Sequence, residues 1–244
     1  MVKFIDSMMK KKSNVLIIGS SSFIYELLHD YLDKSFEVYK ISSKKIKDTY
    51  YFNFISLNKS DIKLRSKIFK NINFDLVLIF SNQRNLKIKS QINLKKSFSM
   101  FENIVQLLQN IKYQKVIFFS SFSVYEENQL IKLNKKVIDP IKNSDGIYGF
   151  YKLFFENFLK INLKNLIILR LPNIINYHLK NKSVHCRYKR GEISGSFNPS
   201  KIYKYFVSIN TIHKFIIMIN KLKKPKKEVY DLTDGKFSII KALK

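Results

Sequence analysis

Short continuous apolar runs alternate with longer amphipathic stretches along most of the chain. Residues 15–18 (VLII) read as a buried strand that ends at Gly19. Residues 23–32 then place Phe23, Ile24, Leu27, Leu28 and Tyr31 at helical spacing. Residues 37–41 (EVYKI) form a second strand, followed by the mostly polar run 42–48. Residues 76–80 (LVLIF), 115–120 (KVIFFS) and 166–169 (LIIL) read as further strands, with helices predicted over 98–111 and 148–162. Strands that are apolar without alternation are buried on both faces. When they alternate with helices they build a parallel sheet covered on each side. The expected fold class is therefore α/β, a doubly wound parallel sheet. Ligands of such sheets bind beyond the carboxyl ends of the strands, which directs attention to residues 19–25, 42–45, 81–84, 120–125 and 170–173.

Composition narrows this picture. The 244 residues are 45% hydrophobic and 14% aromatic, enough to build a core, which excludes a disordered chain. The single cysteine, Cys186, excludes an intrachain disulfide. Only 6 glycines are present, where average usage would give roughly 17, so any glycine-dependent loop uses few of them. Lys and Arg total 45 against 18 Asp and Glu, a formal net charge of +27. The lysines are spread along the whole chain and fill solvated faces. The densest run, KLKKPKK at 221–227, reads as a surface turn. Nothing else points to nucleic acid, and no apolar run approaches the ~20 residues needed to span a bilayer. A cytoplasmic protein without nucleic-acid or membrane partners is expected.

Three stretches carry chemistry. The first strand runs into Gly19-Ser20-Ser21-Ser22-Phe23-Ile24-Tyr25. A later one runs into Ser120-Ser121-Phe122-Ser123-Val124-Tyr125, and Tyr148-Gly149-Phe150-Tyr151-Lys152 opens a helix. Tyr148 and Lys152, four residues apart on a helix, share a face. An ammonium beside a phenol favours the phenolate, so the tyrosine can exchange protons nearer neutral pH. With 14 tyrosines in a lysine-rich chain this spacing alone is common. Its order after a Ser–Ser strand end is more specific.

Together these stretches resemble the extended short-chain dehydrogenase/reductases, in particular the NAD-dependent epimerase/dehydratase family acting on nucleotide sugars. The likeness continues through Leu169-Arg170-Leu171-Pro172-Asn173, Tyr205-Phe206-Val207-Ser208-Ile209-Asn210 and Val229-Tyr230-Asp231-Leu232. It implies a Rossmann-type sheet with a small, shortened C-terminal substrate lobe: a dinucleotide-binding domain over residues 1–170 and a substrate region over 171–244 that partly rejoins the sheet. It also implies catalytic roles for Ser121, Tyr148 and Lys152. Lys152 would contact the nicotinamide ribose, and Ser121 would orient the reacting oxygen. Cofactor contacts would come from Gly19, Ser22, Phe23, Ile24, Ser42, Lys44, Lys45 and Ser81, and substrate contacts from Ser121, Asn173, Arg187 and Arg190. The two arginines suit a diphosphate because the guanidinium fork matches phosphate oxygens. His178, His185 and Cys186, nearby in sequence, match no metal-site spacing, and no metal is expected.

The departures are equally informative. A Rossmann loop uses three glycines, for the turn, for close approach of pyrophosphate and for helix–strand packing. Here Ser22 and Tyr25 stand at the second and third positions. The bulk of Tyr25 predicts either a tilted helix or an outward-pointing ring. At the end of the second strand Ser42, Ser43, Lys44 and Lys45 replace the acid that would favour NAD, which leans the expected cofactor, NADP or NAD, toward NADP. Phe122 and Ser123 stand where the family's dehydratases carry an Asp–Glu pair, which favours an epimerase or 4-keto reductase acting on a nucleotide sugar. The eroded glycine loop keeps a second reading open, a non-catalytic module binding a nucleotide or a protein. The resemblance also allows a homodimer.

Overall fold

A computed structural model describes residues 12–80, 91–125, 146–175 and 203–238. Its strands are β1 (Asn14–Ile18), β2 (Glu37–Ser42), β3 (Tyr50–Tyr51), β4 (Asn73–Phe74), β5 (Leu76–Ile79), β6 (Lys112–Tyr113), β7 (Val116–Ser121), β8 (Leu166–Leu171), β9 (Asn173–Ile175), β10 (Tyr203–Ser208), β11 (Val229–Asp231) and β12 (Gly235–Ser238). The α-helices are α1 (Phe23–Ser35), α2 (Lys59–Ser66), α3 (Gln91–Gln109), α4 (Gly146–Asn162) and α5 (Ile209–Lys221).

Seven strands form one parallel sheet in the order β11–β8–β7–β5–β1–β2–β3. β1 pairs in parallel with both β2 and β5, β2 with β3, and β8 with β11. A three-stranded sheet, β12–β10–β9, pairs β10 parallel to β9 and antiparallel to β12, and β4 and β6 form a short parallel pair. Among the described residues the chain divides into two compact units, with the boundary inside β7 between Ile117 and Phe118.

The first unit is organised by β1 and β5, whose residues Val15–Ile18 and Leu76–Ile79 are fully buried. Burial of each such side chain contributes roughly 1.5–3 kcal/mol, which is why uninterrupted apolar tetrads sit at the sheet centre. α1 packs Tyr25, Leu27, Leu28 and Leu32 inward, whereas Tyr31 is 42% exposed. The inward face is thus rotated from the one read off the sequence, and Tyr25 belongs to it. α2 begins at a capping box, Asn58 accepting from the Asp61 amide and Asp61 from the Asn58 amide. Asn103 on α3 is buried and donates from Nδ2 to the carbonyls of Phe54 and Leu57, both at 2.7 Å. This side chain supplies the hydrogen bonds that the β3–α2 connection lacks from regular structure.

The second unit is built on β8, every residue of which is buried. α4 lies against the 3₁₀ turn Phe122–Val124, where Leu153 packs on Phe122, Val124 and Tyr125. Ser208 caps α5 by accepting from the Thr211 amide. Asp234 accepts from the Ser208 amide at 2.7 Å and from the Thr211 hydroxyl at 2.6 Å.

Candidate active site

In the first unit, Gly19 ends β1 with φ +93°, a left-handed conformation that a side chain would strain. The amides of Gly19 and Ser20 both donate to the Ile41 carbonyl at 3.0 Å, and the Ser20 hydroxyl donates to the same oxygen at 3.2 Å. The turn is thereby fixed to the end of β2. Ser22 is the N-cap of α1, its hydroxyl accepting from the Tyr25 amide at 3.2 Å. The residue at the family's second glycine position thus starts the helix. Phe23 and Ile24 form its half-buried first residues. A tight turn leading directly into a helix N-terminus fits the anionic half of a dinucleotide, through backbone N–H groups and helix dipole.

The ring of Tyr25 does not point outward. It is 5% exposed, packs on Phe80 with ring centroids 6.0 Å apart, and lies 6.3 Å from His29. Burial raises the pKa of its hydroxyl, which Asp33 and Lys40 also face. Asp33 and Lys40 are themselves paired at 2.8 Å. The tyrosine is core rather than obstruction.

At the end of β2, Ser42 is fully buried and accepts from the Lys44 amide at 2.9 Å. Lys44 and Lys45 are exposed beyond it, with the Lys45 ammonium 5.9 Å from the centre of the Tyr51 ring. Ser42 therefore shapes the turn that presents the two lysines.

In the second unit, α4 carries Tyr148, Lys152 and Glu156 at intervals of four. Tyr148 is half-buried, Lys152 is 6% exposed and Glu156 is fully buried. Lys152 donates from Nζ to the Phe119 carbonyl at 2.8 Å and lies 4.9 Å from the centre of the Phe118 ring. Burial pushes its pKa down to about 7, against a smaller upward pull from Glu156. Two residues along β7, half-buried Ser121 caps the 3₁₀ turn, accepting from the Ser123 amide at 3.2 Å and bonding the Ser123 hydroxyl at 3.1 Å. Asn173 is half-buried in β9, its Nδ2 at 3.5 Å from the Tyr205 carbonyl. Phe122 is buried and meets Tyr125 and Tyr205 edge-on.

The same helix face reaches a network that sequence reasoning did not assemble. Arg170, in β8, donates from Nε to both Glu156 oxygens at 3.0 and 3.2 Å and from Nη2 to Oε2 at 2.6 Å. Its Nη1 donates to the Tyr125 hydroxyl at 2.6 Å, and that hydroxyl donates to Asp231 at 2.7 Å. The Ser120 hydroxyl completes the set, donating to Glu156 at 2.5 Å. Burial pushes the Tyr125 hydroxyl up to about 12, helped by its bond to Asp231 and opposed by Arg170. Burial acts to lower Arg170, but the hydrogen bonds and charge of Glu156 hold it above its ordinary value. The available signal was an acid continuing the Tyr148–Lys152 spacing, together with an arginine inside an apolar strand. Buried charges of this kind need partners.

Ser81, Arg187 and Arg190 lie outside the described residues, as do His178, His185 and Cys186. Among the described residues no helix is long and apolar enough to cross a membrane, and no group of three His, Cys, Asp or Glu is placed to hold a metal ion.

A parallel sheet in this strand order, with a glycine turn between its first strand and first helix, is the Rossmann-type α/β fold of the short-chain dehydrogenase/reductases. Residues 15–187 match the NAD dependent epimerase/dehydratase family, and the chain belongs to that family of NAD-dependent enzymes. Among solved structures it is similar to the UDP-glucose 4-epimerase of Thermotoga maritima, solved with UDP-glucose. That likeness has 17% identity and a TM-score of 0.62, over 94% of this chain and 80% of that one. It is similar also to the L-threonine 3-dehydrogenase of Trypanosoma brucei, with 14% identity and a TM-score of 0.66, over 93% of this chain and 77% of that one. A curated relative, the DNA-directed RNA polymerase subunit beta' of Oedogonium cardiacum, is 26% identical over an alignment 170 residues long that covers 66% of this chain. The chain spans only 8% of that relative's length.

Proposed function

We propose that this protein is an NAD(P)-dependent epimerase or 4-keto reductase acting on a nucleotide-activated sugar. The observation that carries the reading is the buried Lys152 amine. It is held on the Phe119 carbonyl, one helical turn after Tyr148 and beside the strand end that bears Ser121. In this reading Gly19, Ser22, Phe23 and Ile24 hold the pyrophosphate of the dinucleotide, and Lys152 meets the nicotinamide ribose. When bound, the cofactor accepts or returns a hydride at the sugar carbon. Tyr148 takes the proton from the sugar hydroxyl during oxidation and gives it back during reduction, while Ser121 holds the same oxygen. Lys152 sets the proton affinity of Tyr148 through its charge. Arg187 and Arg190 are assigned to the substrate diphosphate, Asn173 to the sugar, and Ser81 to the cofactor. Lys44 and Lys45 favour a 2′-phosphate, so NADPH is assigned an affinity at least equal to that of NADH. Dehydration is disfavoured because Phe122 is packed among aromatic rings and offers no carboxylate.

The second reading, a non-catalytic nucleotide-binding module, draws on Tyr25. A ring built into the core at the third glycine position marks a phosphate loop remodelled away from the family's pattern. Fluorescence titration with NADPH and NADH decides between cofactor use and its loss. Binding followed by turnover of a nucleotide sugar or its 4-keto form supports the enzyme. Binding of neither dinucleotide at millimolar concentration removes it.

A further inference from the structure

Tyr148, Lys152 and Glu156 follow one another along a single face of α4. A buried ammonium and a buried carboxylate one turn apart ordinarily neutralise each other. Here they do not. The Lys152 amine turns to the Phe119 carbonyl and the Phe118 ring, and the Glu156 carboxylate is occupied on both oxygens by Arg170, with Ser120 as a further donor. Arg170 is held in turn by Tyr125, which Asp231 anchors.

We propose that Arg170 is a positioning residue that sets the charge state of Lys152 by taking up the Glu156 carboxylate, leaving the lysine amine without an ionic partner among the described residues. The asymmetry is chemical. Arginine does not give up its proton in a protein, whereas a buried lysine does so readily. Of the two cations near Glu156, the permanent one has the carboxylate and the labile one has a carbonyl. The described charged group that acts on Lys152 is Glu156 on its own helix, which Arg170 on β8 holds, and Tyr148 lies one turn earlier on the same helix. Tyr125 and Asp231 lie beyond Arg170. Residues 118–120 of β7 contribute a ring, a carbonyl and a hydroxyl but no charge. Burial therefore dominates and the amine loses its proton near neutral pH. Lys152 becomes a charge that switches near neutral pH. The consequence for turnover rests on the reading of Lys152 as the group that tunes Tyr148, but the charge state itself does not.

The test uses the full chain, grown with lysine carrying ¹³C at Cε, and follows the lysine resonances with pH. One resonance titrating near neutrality, and missing from Lys152→Met, is expected for the wild type. Arg170→Met frees Glu156 to face the amine, and that titration should rise by about 1–3 pH units. The double variant Glu156→Gln/Arg170→Met removes the pair together. It should titrate at or slightly below wild type, by less than about one pH unit, since only the small upward pull of the Arg170-bound Glu156 is lost with the pair. The double variant carries the test by itself if the single one does not fold. An unchanged titration in Arg170→Met overturns the proposal, as does a fall of more than about one pH unit in the double variant. A shifted titration in a protein that turns over no nucleotide sugar leaves the role of Arg170 standing and removes the proposed reaction. If the reaction holds, the pH profile of kcat should move with the Lys152 titration, which a merely structural arginine would not cause.

Discussion

The rings of Tyr25 and Phe80 are tilted by 54° with their centroids 6.0 Å apart, and this contact fills the place where the family's phosphate loop keeps a bare glycine. Helix α1 is held to the sheet by an aromatic ring rather than by close backbone approach. Tyr25→Gly therefore removes core instead of repairing the loop. Unfolding by urea should show a loss of roughly 3–5 kcal/mol for the emptied aromatic site, with about 1 kcal/mol more for glycine within a helix. Dinucleotide affinity should not improve.

Lys152 gives a stability signature with a definite direction. Its folded pKa of about 7 lies below the ordinary 10.5, so between those values the unfolded chain binds one more proton than the folded one. Stability contributed by this residue rises with pH across that window and is lowest below pH 7. Lys152→Met should stabilise the protein, by roughly 2–4 kcal/mol near pH 6, with the gain shrinking toward pH 10. Urea midpoints measured at pH 6, 8 and 10 check this.

If turnover of a nucleotide sugar is found, Tyr148→Phe should lower kcat by about 10²–10⁴, the usual weight of acid–base catalysis. NADPH binding should stay near wild type. Ser121→Ala should also lower kcat without changing cofactor affinity, because among the described residues its hydroxyl bonds to Ser123 alone. Wild-type turnover in Tyr148→Phe would remove the catalytic assignment.

Asn103 is a structural counterpart to these site residues. Asn103→Leu leaves the carbonyls of Phe54 and Leu57 without their donor, at roughly 1–3 kcal/mol for each buried group left unpaired. Hydrogen exchange should speed up over residues 52–58 before it changes in β1 or β5.

The strands β1, β5, β7 and β8 were legible because uninterrupted apolar runs have few other homes in a folded chain. α2 was not, since its eight residues put only Ile62 and Ser66 inward and leave Leu64 63% exposed. Its capping box, Asn58 and Asp61, was the readable trace. Ser121, Tyr148 and Lys152 stood out as a motif in order. Glu156, Arg170, Tyr125 and Asp231 did not, because a pairing across 14, 45 and 106 positions leaves no local periodicity. Helical spacing alone also left the facing of Tyr25 open, although Tyr25, Leu28 and Leu32 at intervals of three and four already mark the inward stripe.

The bond from Tyr125 to Asp231 spans 106 positions, and this bears on how the protein is made. During synthesis the Tyr125, Glu156 and Arg170 side chains leave the ribosome well before β11 does. Until that late strand docks beside β8, the Tyr125 hydroxyl that accepts from Arg170 has no acceptor of its own. The N-terminal unit is free to consolidate as it emerges. The link that holds Arg170 through Tyr125, in contrast, closes only after β11 has been made and has paired with β8.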